Sequence, residues 1–343
     1  MKNLKKTQKS CAVLLAAALL LSAGSFPAAA RHTAAPKTVT LGGQPFGVRF
    51  FSDGVMVTEL EPFYSENHYV CPAKDGGLQA GDVIQKVNGV PVTTNEALQH
   101  ETFACSGKPV RFTVQRSGKE LVKTVTPQQN MAGMYLLGAW VRDSCAGIGT
   151  VTYYDTQSGS FAALGHGICD KDTGGLLPLG SAEVVQVRVN AVSKSVSGKA
   201  GSLNGYFSDT PLGNLTKNTP CGVYGTINDK MQPQGVTLEI ADNGDIHTGK
   251  AQIYTTVTGS ECAAFDAEIT KICHLEATSN ENFVIKVTDK QLLDKCGGIV
   301  QGMSGSPIVQ EGKLAGAVTH VFLNNPHEGY GITAQNMVSN CGN

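Results

Sequence analysis

The chain has 343 residues, with 27 Lys and Arg against 28 Asp and Glu, and 40 glycines. Near-neutral charge without a long basic stripe excludes a nucleic-acid role on electrostatic grounds. Sparse charge and abundant glycine exclude a coiled coil or a disordered chain and suit a β-rich, turn-rich protein of about two domains.

In chain order, Lys2, Lys5, Lys6 and Lys9 precede an apolar run from Cys11 to Leu21, and Ala28-Ala29-Ala30 follows as a small-residue cleavage pattern. This predicts an export signal over residues 1–30, either cleaved or kept as a signal anchor that lets residues 11–30 associate with a membrane. Both forms place the bulk of the chain outside the cytoplasm. Residues 31–40 read as a polar linker. With Cys11 in the signal, nine cysteines remain, an odd number that cannot all pair internally. They read mostly as small core residues with one or two bridges. No C-x-x-C pair and no four convergent ligands are visible, so neither a metal site nor a cofactor is predicted.

A β-rich module spans residues 41–128. Gly54 to Leu60 alternates as a half-buried strand. Asn88-Gly89 between Val87 and Val90 signals a hairpin, and Val110–Val114 with Leu121–Val125 forms a closing pair across Ser117-Gly118. The stretch A-K-D-G-G-L-Q-A-G-D-V-I-Q-K-V-N-G-V-P-V, from Ala73 to Val92, resembles the PDZ domains of bacterial exported proteases. PDZ domains add an extended peptide to a sheet edge and hold its terminal carboxylate in a glycine turn. The resemblance implies a PDZ ligand peptide, with Phe46-Gly47-Val48 as that turn and Arg49 and Phe50 starting the edge strand.

The second domain spans residues 131–343. Short apolar runs separated by turn residues predict a mostly β domain, a barrel or a pair of barrels. Within it, Gly298-Ile299-Val300-Gln301-Gly302-Met303-Ser304-Gly305-Ser306-Pro307 sets a serine on a tight glycine turn. Such a turn gives a nucleophile access and lets backbone amides point at one spot beside it. A serine needs a base. His166, between Gly165 and Gly167 after an apolar strand, is the candidate. His320, mid-strand, is its rival and reads better as a buried, hydrogen-bonded residue. The acid that would orient the base comes from Asp170, Asp172, Asp209, Asp289 or Asp294. Asp170 and Asp172 suit a turn, whereas Asp289 ends the apolar strand Phe283–Val287.

The blocks R-D-S-x-A-G-I-G-T-V-T-Y-Y, A-L-G-H-G-I-x-D-x-D-T, V-T-D-K-Q-L-L-D-K-C-G-G-I-V-Q-G-M-S-G-S-P-I-V-Q and G-K-L-A-G-A-V-T-H-V-F-L-N-x-P-x-x-G-Y-G-I together resemble the SpoIVB peptidase family of endospore-forming bacteria. The resemblance implies a PDZ domain followed by a chymotrypsin-like double β-barrel peptidase domain, with His166, Asp289 and Ser304 as the triad. The amides of Gly302 and Ser304 are the expected oxyanion hole. One departure is Gly167, where a larger apolar residue is common. The family implies a serine endopeptidase, free of metal and cofactor, exported into the intermembrane space of the forespore. There it cleaves the ectodomain of a membrane complex, and itself near the N-terminus, so triggering intramembrane proteolysis and late sigma-factor activation. The competing reading is a PDZ scaffold whose peptidase domain is silent. A third is a broad exported quality-control protease, which shares the chemistry but not these blocks.

Overall fold

The computed structural model describes residues 38–228, 233–276 and 278–341. The export signal lies outside the described residues, as does most of the linker. In chain order the strands that build the barrels and the PDZ-like sheet are β1 (Thr38–Leu41), β2 (Pro45–Leu60), β3 (Val83–Val87), β4 (Val110–Arg116), β5 (Lys119–Val125), β6 (Ala139–Asp155), β7 (Ser160–Ala163), β8 (Leu179–Ser193) and β9 (Ser202–Thr219). They continue with β10 (Gly222–Ile227), β11 (Thr237–Glu239), β12 (Gly249–Thr255), β13 (Ala263–Ile272), β14 (Phe283–Val287), β15 (Pro307–Gln310), β16 (Lys313–Val321) and β17 (Glu328–Thr333). The helices that bear on the site are α1 (Asn95–Ala104), α2 (Lys290–Cys296) and α3 (Ala334–Cys341).

The protein is mostly β, as expected, and contains two barrels and a PDZ-like module. In the first barrel the strands pair as a ring, β2 to β6, β7, β10, β9, β8 and back to β2. Alternation places Phe46, Val48 and Phe50 of β2 inside, against Val151, Phe161, Val184, Leu215 and Val223. The second barrel closes through β12, β13, β14, β17, β16 and β15. Ile253, Ile269, Phe283, Ile285, Ile308 and Val318 fill it.

The PDZ-like module uses the second half of β2 with β3, β4, β5 and α1. The Asn88-Gly89 turn has φ of 51° and 89°, and Ser117-Gly118 has 50° and 76°, so both hairpins bend as expected of left-handed turns. Asp82, fully buried, accepts from Arg116 at 2.5 and 2.7 Å and ties β3 to β4.

Three expectations need correction. Thr38 to Thr40 is not linker but part of β1, paired with β6 and β11. The PDZ boundary at residue 41 also moves, because Pro45 to Phe51 belongs to the first barrel. Finally, Phe46-Gly47-Val48 is not a carboxylate-binding turn. It lies within β2 and is paired on both edges, to Gly149-Ile148-Gly147 of β6 and to Gln186-Val185-Val184 of β8. A strand hydrogen-bonded on both sides has neither a free edge for a peptide nor free amides for a carboxylate. Beyond Phe51, the matching edge of the PDZ-like sheet is taken by Ala139–Arg142 of β6, and Asp143 Oδ2 accepts the Asn95 amide at the start of α1 at 2.8 Å.

No disulfide forms among the nine described cysteines. Cys221 and Cys296 pack in apolar cores as small residues instead.

Candidate active site

The serine turn is built by close approach of backbones. Gly302 has φ of 99° and Gly305 has 92°, a region that only glycine adopts without strain. A Cβ on Gly305 would fall 2.0 Å from the Thr150 carbonyl oxygen and 2.5 Å from the Leu164 amide. Strand β6 of the first barrel holds this turn of the second. Thr150 Oγ1 donates to the Gly302 carbonyl at 2.8 Å, the Thr150 amide to the Ser304 carbonyl at 2.9 Å, and Thr152 Oγ1 to the Gly305 carbonyl at 2.8 Å. With their carbonyls so engaged, the amides of Gly302 and Ser304 are left without an acceptor among the described residues. They are two donors beside one hydroxyl. That hydroxyl, Ser304 Oγ, donates to the Thr319 carbonyl at 2.8 Å rather than to a histidine.

His166 is delivered by the end of β7. Phe161, Ala162 and Ala163 are buried, and then Leu164 (φ 66°) and Gly165 (φ 70°) turn the chain so that the imidazole lines the same cleft as Ser304. Leucine in this region is strained by about 1 kcal/mol or more. Its side chain is accommodated because Gly149 has none: a Cβ there would meet Leu164 Cδ2 at 2.1 Å. Gly167 is equally constrained, since a Cβ would lie 2.3 Å from Leu176 and 2.7 Å from the Thr219 carbonyl. The departure noted in the sequence is thus a packing requirement of this chain.

His166 Nδ1 lies 2.8 Å from the Gly167 carbonyl. The ring donates there through Nδ1–H, which leaves Nε2 as the acceptor, the tautomer a general base needs. Burial pushes the imidazole down, the Gly167 bond offsets part of this, and His320 adds to it, so the pKa falls to about 4. The ring is therefore neutral across the physiological range.

The acid is where sequence and structure part. Asp289 is the N-cap of α2. Its Oδ1 accepts the Leu292 amide at 3.0 Å, its Oδ2 accepts the Asp266 amide at 3.4 Å, and it does not line the cleft. A carboxylate at an N-cap satisfies orphan helix amides, and Gly297 with φ of 70° closes the other end. Asp289→Asn is therefore expected to keep most activity and stability, since asparagine caps nearly as well as aspartate. Initial rates and a thermal melt of the variant check this, and a loss of activity above about a hundredfold would return Asp289 to the triad. Asp209 and Asp294 are exposed, Asp209 lying 3.6 Å from Arg49. Asp170 reaches the cleft wall, but its carboxylate is filled by Arg142, by the Thr173 amide and hydroxyl at 2.9 and 3.0 Å, and by the Asp172 amide at 3.1 Å. Asp172 accepts the other Arg142 nitrogen at 2.6 Å. The turn after His166 is thus tied to β6, and Asn218 of β9 clamps its other flank: its Oδ1 accepts the Ile168 amide at 2.8 Å, and its Nδ2 donates to the Ile168 and Leu177 carbonyls at 2.9 and 2.8 Å.

His320 is not buried, as the sequence suggested, but exposed on the cleft. Its ring centroid is 4.9 Å from that of His166, the planes tilted by 31°. Thr150, Thr152, Arg142 and Asn218 went unrecognised as site residues. The R-D-S and T-V-T blocks contain three of them, but only as letters beside glycines. Among the described residues, no group of three or more His, Cys, Asp and Glu side chains converges as a metal site. The cleft, 580 Å³ in volume, is lined on the serine side by Ile299, Val300, Val321 and Leu323 and along β6 by Gly147 and Ile148. A Cβ on Gly147 would meet nothing within 4 Å, so the strand keeps its backbone bare there without any packing cause.

Comparison with known proteins adds the following. The SpoIVB peptidase S55 family matches residues 133–338, and the PDZ domain family matches residues 52–126. The regulator of sigma-E protease RseP of Salmonella typhimurium is 39% identical over 71 residues, 20% of this chain and 15% of that protein. The chain thus spans a small part of the length of the curated relatives it matches. Among solved structures, the active form of the Rv3671c protease of M. tuberculosis is 15% identical, with a TM-score of 0.36, over 57% of this chain and 72% of that one. The PDZ domain of an SdrC-like protein of Listeria monocytogenes is 20% identical, with a TM-score of 0.22, over 26% of this chain and 87% of that one.

Proposed function

The chain belongs to the SpoIVB peptidase S55 family, and from that premise we propose an exported serine endopeptidase in which Ser304 is the nucleophile and His166 the general base. Its substrate is the ectodomain of a membrane-associated signalling protein during endospore formation, and its own N-terminal region is a second. The membership makes the chain a serine peptidase with a PDZ domain. The observation that carries the assignment of roles is the pair of open amides at Gly302 and Ser304 beside a hydroxyl, in a cleft that also holds a neutral histidine.

The chemistry requires one rotation. Ser304 Oγ leaves the Thr319 carbonyl and turns to His166 Nε2, as apo sites tighten when substrate binds. His166 takes the hydroxyl proton while Oγ attacks the peptide carbonyl carbon. The resulting oxyanion sits on the Gly302 and Ser304 amides, each donor worth about a hundredfold or more in rate. Collapse expels the amine, protonated by the His166 imidazolium, and leaves an acyl-serine. Water, deprotonated by the same ring, then releases the acid. The Gly167 carbonyl does the orienting that a carboxylate does in a triad, so the site works as a dyad.

A pH profile tests the base. A histidine is active when neutral, so activity is lost as pH falls through its pKa. For His166 that loss is expected well below the ordinary histidine range, at about 4. The acid limb of kcat/KM reports this directly, and a limb at the ordinary value near 6.5 would contradict the buried neutral ring.

The silent-scaffold reading has one observation in its favour, the Ser304 bond to Thr319. A spore-forming strain carrying Ser304→Ala separates the two. Arrest before late sigma-factor activation, with the ectodomain uncut, supports the peptidase. Full sporulation removes the proposed role.

A further inference from the structure

The cleft contains more than the proposed reaction needs. His320 contributes no hydrogen bond from its ring to any described residue, and the dyad leaves it without a task. It nevertheless faces the base across 4.9 Å. We propose that His166 and His320 together form a binding site for a zinc ion, and that zinc occupying it reversibly inhibits the enzyme.

The geometry carries the assignment. Zinc binds imidazole nitrogen at about 2.0–2.1 Å with tetrahedral angles, which sets the centroids of two ligating rings about 5 Å apart. The observed separation of 4.9 Å matches that spacing. His166 has spent Nδ1 on the Gly167 carbonyl and presents Nε2 as a lone pair. The two side chains supply half of a tetrahedral shell. The cleft is open to solvent on the side of His320, which is exposed, and two waters complete the shell. Two neutral imidazoles suit zinc and leave magnesium and calcium, which demand oxygen ligands, unbound. With zinc on Nε2, His166 has no lone pair for the Ser304 proton, and acylation stops. The ion-binding site stands on the histidine pair alone, whereas the inhibition rests on His166 acting as the base.

Calorimetric zinc titration of the full chain carrying Ser304→Ala tests the binding without any need for activity. One zinc per chain in the micromolar range is expected. Adding His166→Ala or His320→Ala should each weaken it by about tenfold or more, as loss of one of two ligands does. Equal zinc affinity in all three proteins would place the ion on the thiols and overturn the proposal, as would no binding at all. In parallel, peptide hydrolysis by the wild type should fall with zinc, recover with a chelator and ignore magnesium. The ratio of inhibited to free rate should approach one in His320→Ala, and an unchanged ratio there also overturns it. If the wild type hydrolyses nothing, the peptidase reading fails while calorimetry still judges the site.

Discussion

Ser304→Ala is expected to lower kcat/KM by roughly a millionfold, the loss typical of removing the nucleophile from a serine hydrolase. Self-cleavage and labelling by a serine-directed phosphonate should vanish with it. The effect is chemical and not structural. Ser304 Oγ makes a single hydrogen bond, to the Thr319 carbonyl, and losing it costs about 1 kcal/mol. The turn itself is held by Thr150 and Thr152 through backbone carbonyls that alanine retains. The melting temperature should therefore barely move. Initial rates, labelling and a thermal melt on the same preparation make the test complete. Residual turnover from the Gly302 and Ser304 amides should remain measurable above the uncatalysed rate. Wild-type rates in the variant would sink the assignment of the nucleophile.

The second large effect falls on stability. Asp170→Ala is expected to cost about 3 kcal/mol, the lower end for breaking a buried ion pair, because Arg142 keeps some contact with water and retains Asp172. Besides Arg142, the buried carboxylate satisfies two amides and one hydroxyl, which alanine leaves unpaired in the same stroke. A melting temperature lower by roughly 10 °C is the expected reading. Activity should fall too, since the turn that Asp170 anchors begins four residues earlier at His166. Asp172→Asn, at a half-exposed site, should cost no more than about 1 kcal/mol. A melt that ranks the two variants the other way would reassign the anchor. The pH dependence has a definite sign. Burial alone would raise the Asp170 carboxyl, but the Thr173 amide and hydroxyl, Arg142 and the Asp172 amide outweigh it and hold it below the usual carboxylate range. Its contribution is thus complete above the unfolded value near 3.9 and is lost as pH falls through the lower folded one.

Asp289 shows how much more its own segment contained than was read from it. Aspartate ahead of Lys290-Gln291-Leu292-Leu293, with Gly297 eight residues after it, is a helix start and stop. Read as the end of a strand, the same carboxylate looked free to reach a base. The motif was local and complete, but the competing family pattern carried more weight. The Phe46-Gly47-Val48 turn failed for a different reason. A strand running into a glycine and out again looks the same whether one edge is free or both are paired.

What the chain expresses locally was legible before any coordinates. The glycines around Ser304 and His166 mark turns, Asn88-Gly89 and Ser117-Gly118 mark hairpins, and alternation marks the strands, because each depends on neighbours a few residues apart. The partnership of barrel and turn was not legible. Thr150 and Thr152 reach Gly302 and Gly305 across about 150 residues of sequence. His320 meets His166 across a similar interval, and β2 leaves the first barrel for the PDZ-like sheet midway along its length. These depend on which strand edges pair and which faces close over a core. Backbone hydrogen bonding is the same for every residue type, so pairing between distant strands leaves no mark in either strand alone.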